Sequence, residues 1–305
     1  MKNRREFLKI MATGSAATIA SPLYARNDDW VKLTILHTND MHSRIDPFPE
    51  NNPKYAGLGG FARLSGKINS IREEEENTLL LDAGDIFQGT PYFNLFGGEL
   101  EFKLMSKMGY FASTIGNHDL DNGIDGLVDK LEFAKFQFIN CNYDLSQTRL
   151  KEHVVPYKIK DIKGIRIGIL GVGIELEGLV DKKNYGDIIY NDPITNSQKI
   201  AAYLKEEKKC DLVICLSHLG YSYEDERISD LDLARENKHI DLIIGGHTHT
   251  FFKEPLWIKS KFKKSTLINQ VGWAGIELGK IDFHIHKLSG ESELYGRNLI
   301  VNSLV

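Results

Sequence analysis

The sequence contains few cysteines, no long apolar run and no excess of basic residues. Its cysteines are Cys141, Cys210 and Cys215, an odd number without a C-x-x-C spacing, so we expect neither a disulfide framework nor a thiolate metal site. No stretch approaches the ~20 apolar residues needed to cross a bilayer, which predicts no membrane span in the mature chain. The formal net charge of −4 lacks the basic footprint of proteins that bind a nucleic acid polymer.

The remaining composition is typical of a globular protein. The chain has 305 residues, of which 42% are hydrophobic and 26% are charged, and this is enough apolar material for a large core. The length exceeds the usual size of one domain, but layered α/β proteins often reach it as one unit. We find no internal repeat, no low-complexity segment and no linker, so we expect a single domain over residues 26–305.

Residues 1–25 resemble an export signal rather than part of the fold. Arg4 and Arg5 lie in a charged start, and residues 10–20 form a mildly apolar run rich in Ala, Thr and Gly. The string N-R-R-E-F-L-K is similar to a twin-arginine signal, with Ala25 as the expected last residue removed. An ordinary secretory signal and a basic tail on a cytoplasmic protein are the alternatives. We therefore expect an exported protein that is periplasmic or extracellular.

Apolar runs of strand length alternate with segments of helical composition. The expected strands cover residues 31–37, 78–83, 112–116, 136–140, 165–171, 212–217 and 242–245. The expected helices cover residues 58–75, 99–107, 126–134, 196–208 and 225–236. The tail, at residues 266–271, 276–286 and 293–301, has the pattern of a strand meander. This alternation favours a layered α/β domain.

Nearly every cluster of His, Asp and Asn lies directly after a predicted strand, at its carboxyl end. In open α/β sheets, ligands bind at this edge, on loops that a rigid scaffold holds. Five segments stand out: Asn39-Asp40-Met41-His42, Gly84-Asp85-Ile86-Phe87-Gln88-Gly89, Gly116-Asn117-His118-Asp119, Ser217-His218-Leu219-Gly220 and Gly245-Gly246-His247-Thr248-His249. Two of them contain i, i+2 pairs, which an extended backbone directs to one side. Their flanking glycines permit tight turns and a close approach of the backbone.

Taken in order, the five segments resemble the motifs of the calcineurin-like metallophosphoesterase superfamily. Within it, the chain is similar to the catalytic domain of the 5′-nucleotidase/UDP-sugar hydrolase branch. Gln88-Gly89 favours that branch, because the protein phosphatase branch carries acidic and basic residues at this point. The resemblance extends over about residues 31–300 and implies a single domain with a layered α-β-β-α sandwich.

The resemblance implies two divalent metal sites. One site would use Asp40, His42, Asp85 and His249, and the other would use Asp85, Asn117, His218 and His247. Asp85 would be shared by both ions. Four imidazoles favour Zn, Mn, Fe or Co over Mg²⁺ or Ca²⁺. In such sites a hydroxide that bridges the ions attacks phosphorus in line, so we expect a metal-dependent phosphoester hydrolase.

The resemblance also implies a catalytic histidine. His118 would face the phosphoryl group and, with Asn117, contact the substrate. Asp121 lies three residues further on, where its carboxylate could bond the imidazole and favour the imidazolium form. The alternative is that Asp121 only caps the next helix. Asp119 has no required role, and we expect it near the ligands or facing solvent.

The remaining histidines and several aromatic residues have weaker patterns. We expect His37 to lie behind the ligands or in the core. We expect surface or strand positions for His153, His239, His284 and His286. Aromatic residues on loops near the site are Phe87, Tyr92, Phe93, Tyr221 and Trp273, for which packing in the core or at the rim is the leading interpretation.

Relatives in the nucleotidase branch usually continue into a second domain that binds the base or sugar. The sequence ends at Val305, directly after the last predicted strand, so we expect either a separately encoded C-terminal domain as partner or substrate selection by loops of this domain. The leading hypothesis is a phosphoesterase that acts on a phosphorylated small molecule, namely a nucleotide. The alternatives are a non-catalytic metal-containing subunit of a split nucleotidase-like complex and a hydrolase of another tetrahedral ester. The presence of His118 and Asp121 favours an enzyme, because a binding module needs the ions but not the acid.

Overall fold

The computed structural model describes residues 29–302. The strands are β1 Trp30–Thr38, β2 Thr78–Asp82, β3 Ala112–Ser113, β4 Gln137–Ile139, β5 Tyr143–Asp144, β6 Val154–Val155, β7 Tyr157–Ile162, β8 Ile165–Gly173, β9 Ile189–Tyr190, β10 Leu212–His218, β11 Leu242–Gly245, β12 Leu256–Lys259, β13 Ser265–Asn269, β14 Glu277–His286 and β15 Ser292–Ile300. The α-helices are α1 Phe61–Glu74, α2 Pro91–Phe96, α3 Glu99–Met108, α4 Gly123–Val128, α5 Lys182–Tyr185, α6 Pro193–Ala202 and α7 Asp230–Glu236. The expected export signal lies outside the described residues.

Two mixed sheets form the centre of the molecule. The first has seven strands in the order β15-β14-β1-β2-β3-β4-β6, and the second has six in the order β12-β13-β11-β10-β8-β7. The strands from β1 to β6 of the first sheet run parallel, as do β8, β10, β11 and β13 of the second. The antiparallel strands β14, β15, β7 and β12 lie at the sides.

The inner faces of the two sheets pack against each other. Leu33 and Ile35 of β1 share one apolar cluster with Ile167 of β8 and Ile214 of β10. On the other face of the first sheet, Leu36 packs with residues of α1, α3 and α4. On the outer face of the second sheet, α6 and α7 contribute to a separate cluster. The layers therefore follow the order helix, sheet, sheet, helix, and the predicted α-β-β-α sandwich is confirmed.

Local sequence explains where the helices begin. In α1 the buried residues Phe61, Leu64, Ile68 and Ile71 recur at helical spacing and form one face. The expected start at residue 58 is wrong, because Gly59 and Gly60 have φ of 73° and 86°, outside the helical region. Helix α7 begins at Asp230 rather than at the expected residue 225, because Ser229 and Asp232 form a capping box there.

The tail does not form the expected meander. Strand β13 pairs parallel with β11 in the second sheet, whereas β14 and β15 form a hairpin at the side of the first sheet. An apolar alternation predicts that a strand is half-buried but not which strand it pairs with, so this assignment was wrong. In the part of the chain that the structure describes, no helix is long and apolar enough to cross a membrane.

Candidate metal centre

The five polar segments meet at one edge of the sandwich. Three of them follow β1, β2 and β3, and the other two begin at the last residues of β10 and β11. All five strands belong to the parallel parts of the sheets. Carboxyl ends of neighbouring parallel strands lie side by side, so the loops of both sheets reach the same place. The fold thus brings together residues that lie more than 200 positions apart.

Asp40, His42 and His249 form the first group of potential ligands. One ligand atom from each lies within 4.8 Å of the other two. The Nε2 atoms of His42 and His249 are 2.9 Å apart, and Asp40 Oδ1 lies 3.3 Å from His249 Nε2. Two imidazole nitrogens directed at one carboxylate are a donor set that suits a divalent transition metal.

Asp85, His218 and His247 form the second group, and their ligand atoms also lie within 4.8 Å of one another. His218 Nε2 lies 3.1 Å from Asp85 Oδ2, and Asn117 Oδ1 lies 2.9 Å from His247 Nδ1. Asp85 Oδ2 is also 3.9 Å from His42 Nε2 in the first group. Asp85 is therefore placed between the two groups, as a shared ligand requires.

Five of these residues have a left-handed backbone. The φ angles are 50° at Asp40, 46° at His42, 56° at Asp85, 69° at His247 and 49° at His249. Such a conformation costs a residue with a side chain about 1–2 kcal/mol. Strained residues that cluster at one place point to a function there, because stability alone would not keep them.

Backbone carbonyls orient two of the imidazoles. His42 Nδ1 lies 3.2 Å from the Phe87 carbonyl oxygen, and His218 Nδ1 lies 2.7 Å from that of Ala83. These carbonyls hold the Nδ1 proton of each ring, so Nε2 is the nitrogen that faces the acidic groups. His218 Nε2 is buried and lies 3.1 Å from Asp85 Oδ2, but it makes no well-aligned hydrogen bond within the described residues. A buried imidazole nitrogen in that state fits a bound cation.

The charges of the centre also favour a cation. Burial would lower the pKa of His218, but the carboxylates of Asp85 and Asp40 raise it to about 10. Burial would raise the pKa of Asp85, yet the neighbouring imidazoles, His218 foremost, hold it below its usual range. The Asp85 carboxylate therefore stays ionised and contributes a negative potential that attracts a proton or a metal ion.

Asp119 is buried and holds the loop that carries Asp85. Its Oδ2 accepts N–H bonds from Gly116 and Asp85, at 2.8 and 3.1 Å, and its Oδ1 accepts from Ile86 at 2.9 Å and Phe87 at 3.4 Å. Burial and the charge of Asp85 raise the pKa of Asp119 to about 7, against the opposing effect of the Gly116 N–H. Of the two expected positions for Asp119, near the ligands or facing solvent, it has the first, because four backbone donors converge on its buried carboxylate.

Asn39 orients Asp40, a role that the sequence did not predict. Its Nδ2 donates to Asp40 Oδ2 and to the Gly272 carbonyl, both at 2.6 Å, and its Oδ1 accepts the N–H of Val271 at 3.0 Å. These bonds connect the loop after β1 with the loop before β14. The signal was its position next to Asp40, but the partner residues lie more than 230 positions away.

His118 lies beside the two groups. Its Nδ1 is 2.9 Å from Asp121 Oδ2, and its ring centroid is 5.4 Å from that of His42. The bond to Asp121 raises the pKa of His118 above its usual value, although partial burial opposes this. The Asp121 side chain makes no cap bond to helix α4. The pair can therefore present a hydrogen-bond donor to an anion at the centre.

His37 lies in the core. It is fully buried, its Nε2 accepts a hydrogen bond from Asn269 Nδ2 at 2.8 Å, and burial lowers its pKa to about 3. A side-chain carbon at Gly279 would come within 2.0 Å of His37 Nε2, so that glycine makes room for the ring.

The side chains of the other candidate residues lie away from the ligand groups, with one exception. His153 is exposed, and His239, His284 and His286 are partly buried. Phe87 and Phe93 are core residues, Tyr92 bonds Asp46 on the surface, and Tyr221 packs on Phe252. Trp273 is the exception, because its ring lies parallel to the imidazole of His249.

Comparison with known proteins identifies the family. The sequence profile of the calcineurin-like phosphoesterases matches residues 33–251. The chain is 36% identical over 228 residues to the snake venom 5′-nucleotidase of Gloydius brevicauda, covering 72% of this chain and 37% of that protein. It is 32% identical over 327 residues to the 5′-nucleotidase of Vibrio cholerae, covering 98% of this chain and 58% of that protein.

Solved structures give the same result. A 5′-nucleotidase precursor from Thermus thermophilus superposes with a TM-score of 0.80 at 31% identity, over 89% of this chain and 55% of that one. The NAD nucleotidase of Haemophilus influenzae superposes with a TM-score of 0.78 at 26% identity, over 89% of this chain and 50% of that one. The chain thus spans about half the length of these relatives. The chain belongs to the calcineurin-like phosphoesterase family, in which 5′-nucleotidases are its relatives, as the order of its motifs predicts.

Proposed function

We propose that this chain hydrolyses phosphoesters with two divalent metal ions that share Asp85. One ion would be held by Asp40, His42, Asp85 and His249, and the other by Asp85, Asn117, His218 and His247. The observation that carries the proposal is the pair of carboxylate–imidazole groups, each with ligand atoms within 4.8 Å. The buried Asp85 belongs to the second group and lies 3.9 Å from His42 of the first. The ligand set of mostly imidazole and carboxylate favours Zn, Mn, Fe or Co.

The ions, when bound, would supply Lewis acidity and an acidified water for attack on phosphorus. The chain itself must hold the ligands without distortion. The backbone N–H of His118 donates to Asp85 Oδ1 at 2.8 Å, which leaves Asp85 Oδ2 directed at His218. A side-chain carbon at Gly116 would lie 2.2 Å from Asp85 Oδ1, so only glycine allows this approach. Asp85 is thereby fixed from three sides before any substrate arrives.

Asn117 and His118 would contact the phosphoryl group. Both follow β3, and the side chain of His118 is 37% exposed, so its ring can reach a ligand in solvent. Asp121 Oδ2 accepts a hydrogen bond from His118 Nδ1 and fixes the plane of the ring. In this role His118 donates a hydrogen bond to an equatorial oxygen or a proton to the leaving oxygen.

We propose a nucleotide as the substrate, because the relatives are named 5′-nucleotidases and an NAD nucleotidase. The part of those relatives that this chain does not cover could contribute to their substrate choice. A separately encoded C-terminal domain as partner therefore stays a prediction, as do the domain limits at residues 25 and 26 and the export to the periplasm or cell exterior.

The test is hydrolysis of AMP and p-nitrophenyl phosphate by the purified chain. We expect activity with Mn²⁺ or Zn²⁺ and its loss after chelation. His118→Asn should keep both ions and lose about 10²–10⁴-fold in turnover, because general acid catalysis contributes that much. His153→Asn, at an exposed histidine, is the matched control and should match the wild type.

Three results would contradict the proposal. Turnover that persists after complete chelation would exclude a metal-dependent reaction. Full activity in His118→Asn would exclude His118 as the general acid. Bound metals without any turnover would favour a non-catalytic subunit. A strong preference for AMP over p-nitrophenyl phosphate in the isolated chain would make a separate nucleotide-binding partner unnecessary.

A further inference from the structure

His249 is held differently from the other imidazoles. His42 and His218 each direct Nδ1 at a backbone carbonyl, whereas His249 Nε2 contacts His42 and Asp40 while its Nδ1 has no hydrogen bond within residues 29–302. Its side chain is also 39% exposed. A ligating imidazole commonly has its second nitrogen bonded to an acceptor that fixes the ring. No hydrogen bond from the described part of the chain therefore sets the plane of His249.

Trp273 is the residue that lies on the imidazole of His249. The two rings are parallel to within 6°, with centroids 5.6 Å apart, which is an offset stack. Trp273 is itself held by the edges of Phe48 and Tyr55, at centroid distances of 5.6 and 6.2 Å. The indole is thus held in place by packing on two aromatic rings.

The backbone on both sides of Trp273 is tied to the segment that carries Asp40. The N–H of Ala274 donates to the Asp40 carbonyl at 2.7 Å, and the Gly272 carbonyl accepts from Asn39 Nδ2 at 2.6 Å. The indole therefore keeps its position relative to Asp40. If the indole keeps His249 in plane, it also keeps His249 Nε2 aimed at Asp40.

We infer that Trp273 is the positioning residue of His249 and, through it, of the metal ion at Asp40 and His42. This inference rests on the proposed two-metal function. The imidazole of a bound histidine carries part of the cation's charge, and an aromatic face attracts positive charge, so the stack stabilises the ligating state. Trp273 stacks on or approaches His249 and His42, whereas His247 and His218 pack on each other. The effect should therefore be confined to one of the two ions.

The experiment measures metal binding rather than turnover. Zn²⁺ stoichiometry and affinity are determined by equilibrium dialysis and titration calorimetry for the wild type, Trp273→Ala, Trp273→Leu and Trp273→Phe. We expect two ions in the wild type. Trp273→Ala and Trp273→Leu should bind one ion normally and the other about 10-fold more weakly, at the lower end of the range for loss of an outer partner of a ligand. Trp273→Phe keeps a ring face and should stay within about 3-fold of the wild type.

Trp257→Ala is the matched control, because Trp257 is 52% exposed on β12 and should leave both affinities unchanged. Equal loss of both ions in Trp273→Ala, or no loss of either, would overturn the inference. If Trp273→Ala fails to fold, Trp273→Leu and Trp273→Phe are compared instead. Wild-type affinity for both ions in Trp273→Leu would mean that the volume of the side chain rather than its ring face matters, and would overturn the inference. A wild type that binds no Zn²⁺ would instead contradict the two-metal function itself.

Discussion

Substitution of Asp119 by asparagine should destabilise the chain without removing a proposed ligand. Both carboxylate oxygens of Asp119 accept backbone N–H bonds, from Gly116 and Asp85 at Oδ2 and from Ile86 and Phe87 at Oδ1. Asparagine has one oxygen, so one pair of donors would face an NH₂ group whichever way the amide turns. A buried donor without an acceptor costs about 1–3 kcal/mol, so two such donors give a loss of about 2–6 kcal/mol.

The assay is equilibrium unfolding in urea, followed by circular dichroism, in a metal-free buffer. Measurement at pH 5 keeps Asp119 below its raised pKa of about 7, so that asparagine replaces a neutral carboxyl group whose two oxygens can both accept; above pH 7 the substitution would also remove the cost of a buried charge. Asp125→Asn is the matched control: this exposed carboxylate pairs with Arg149 on the surface, and its loss should change the free energy of unfolding by less than about 0.5 kcal/mol. A stability of Asp119→Asn within about 0.5 kcal/mol of the wild type would refute the reasoning.

Three further predictions concern positions remote from the ligands. The folded pKa of His37, about 3, lies below its unfolded value of 6.5, so its contribution to stability is present above pH 6.5 and is lost as the pH falls towards 3. The stability difference between the wild type and His37→Gln should therefore shrink by about 2 kcal/mol from pH 7 to pH 5, measured by urea unfolding, and a pH-independent difference would contradict the lowered pKa. Lys163→Asn should raise the free energy of unfolding by about 0.5 kcal/mol, because Lys163 and Gly164 connect β7 and β8 with φ of 52° and 88°, as in the Asn-Gly turn; a loss of stability would disprove this. Phe102→Ala should cost about 3–5 kcal/mol in the same assay, since the ring is fully buried among other phenylalanines, and a cost under about 1 kcal/mol would show that the site collapses without a cavity.

The sequence predicts the order of the layers and the place of the centre well. Buried strands such as residues 242–245 are continuous apolar runs, and the polar segments that follow them are local patterns. The carboxyl-end rule then brings these segments together without knowledge of the pairing. The residues proposed as ligands can thus be selected from the sequence alone.

Contacts between distant segments could not be predicted in this way. Asp119 lies 32 to 34 residues from the loop whose N–H groups it binds, and nothing local to Asp119 names that loop. The stack of Trp273 on His249 depends equally on the path of the chain between them. Strand β7 was missed because its residues alternate only partly, at the half-exposed side of a sheet.

The shared role of Asp85 is the central claim, and a count of bound metal ions tests it most directly. Zn²⁺ binding is measured by equilibrium dialysis for the wild type, Asp85→Ala and Asp40→Ala under identical conditions. We predict two ions in the wild type, weakened binding of both ions in Asp85→Ala, and weakened binding of only one in Asp40→Ala. Two ions held by Asp85→Ala with the affinities of the wild type would contradict a shared aspartate.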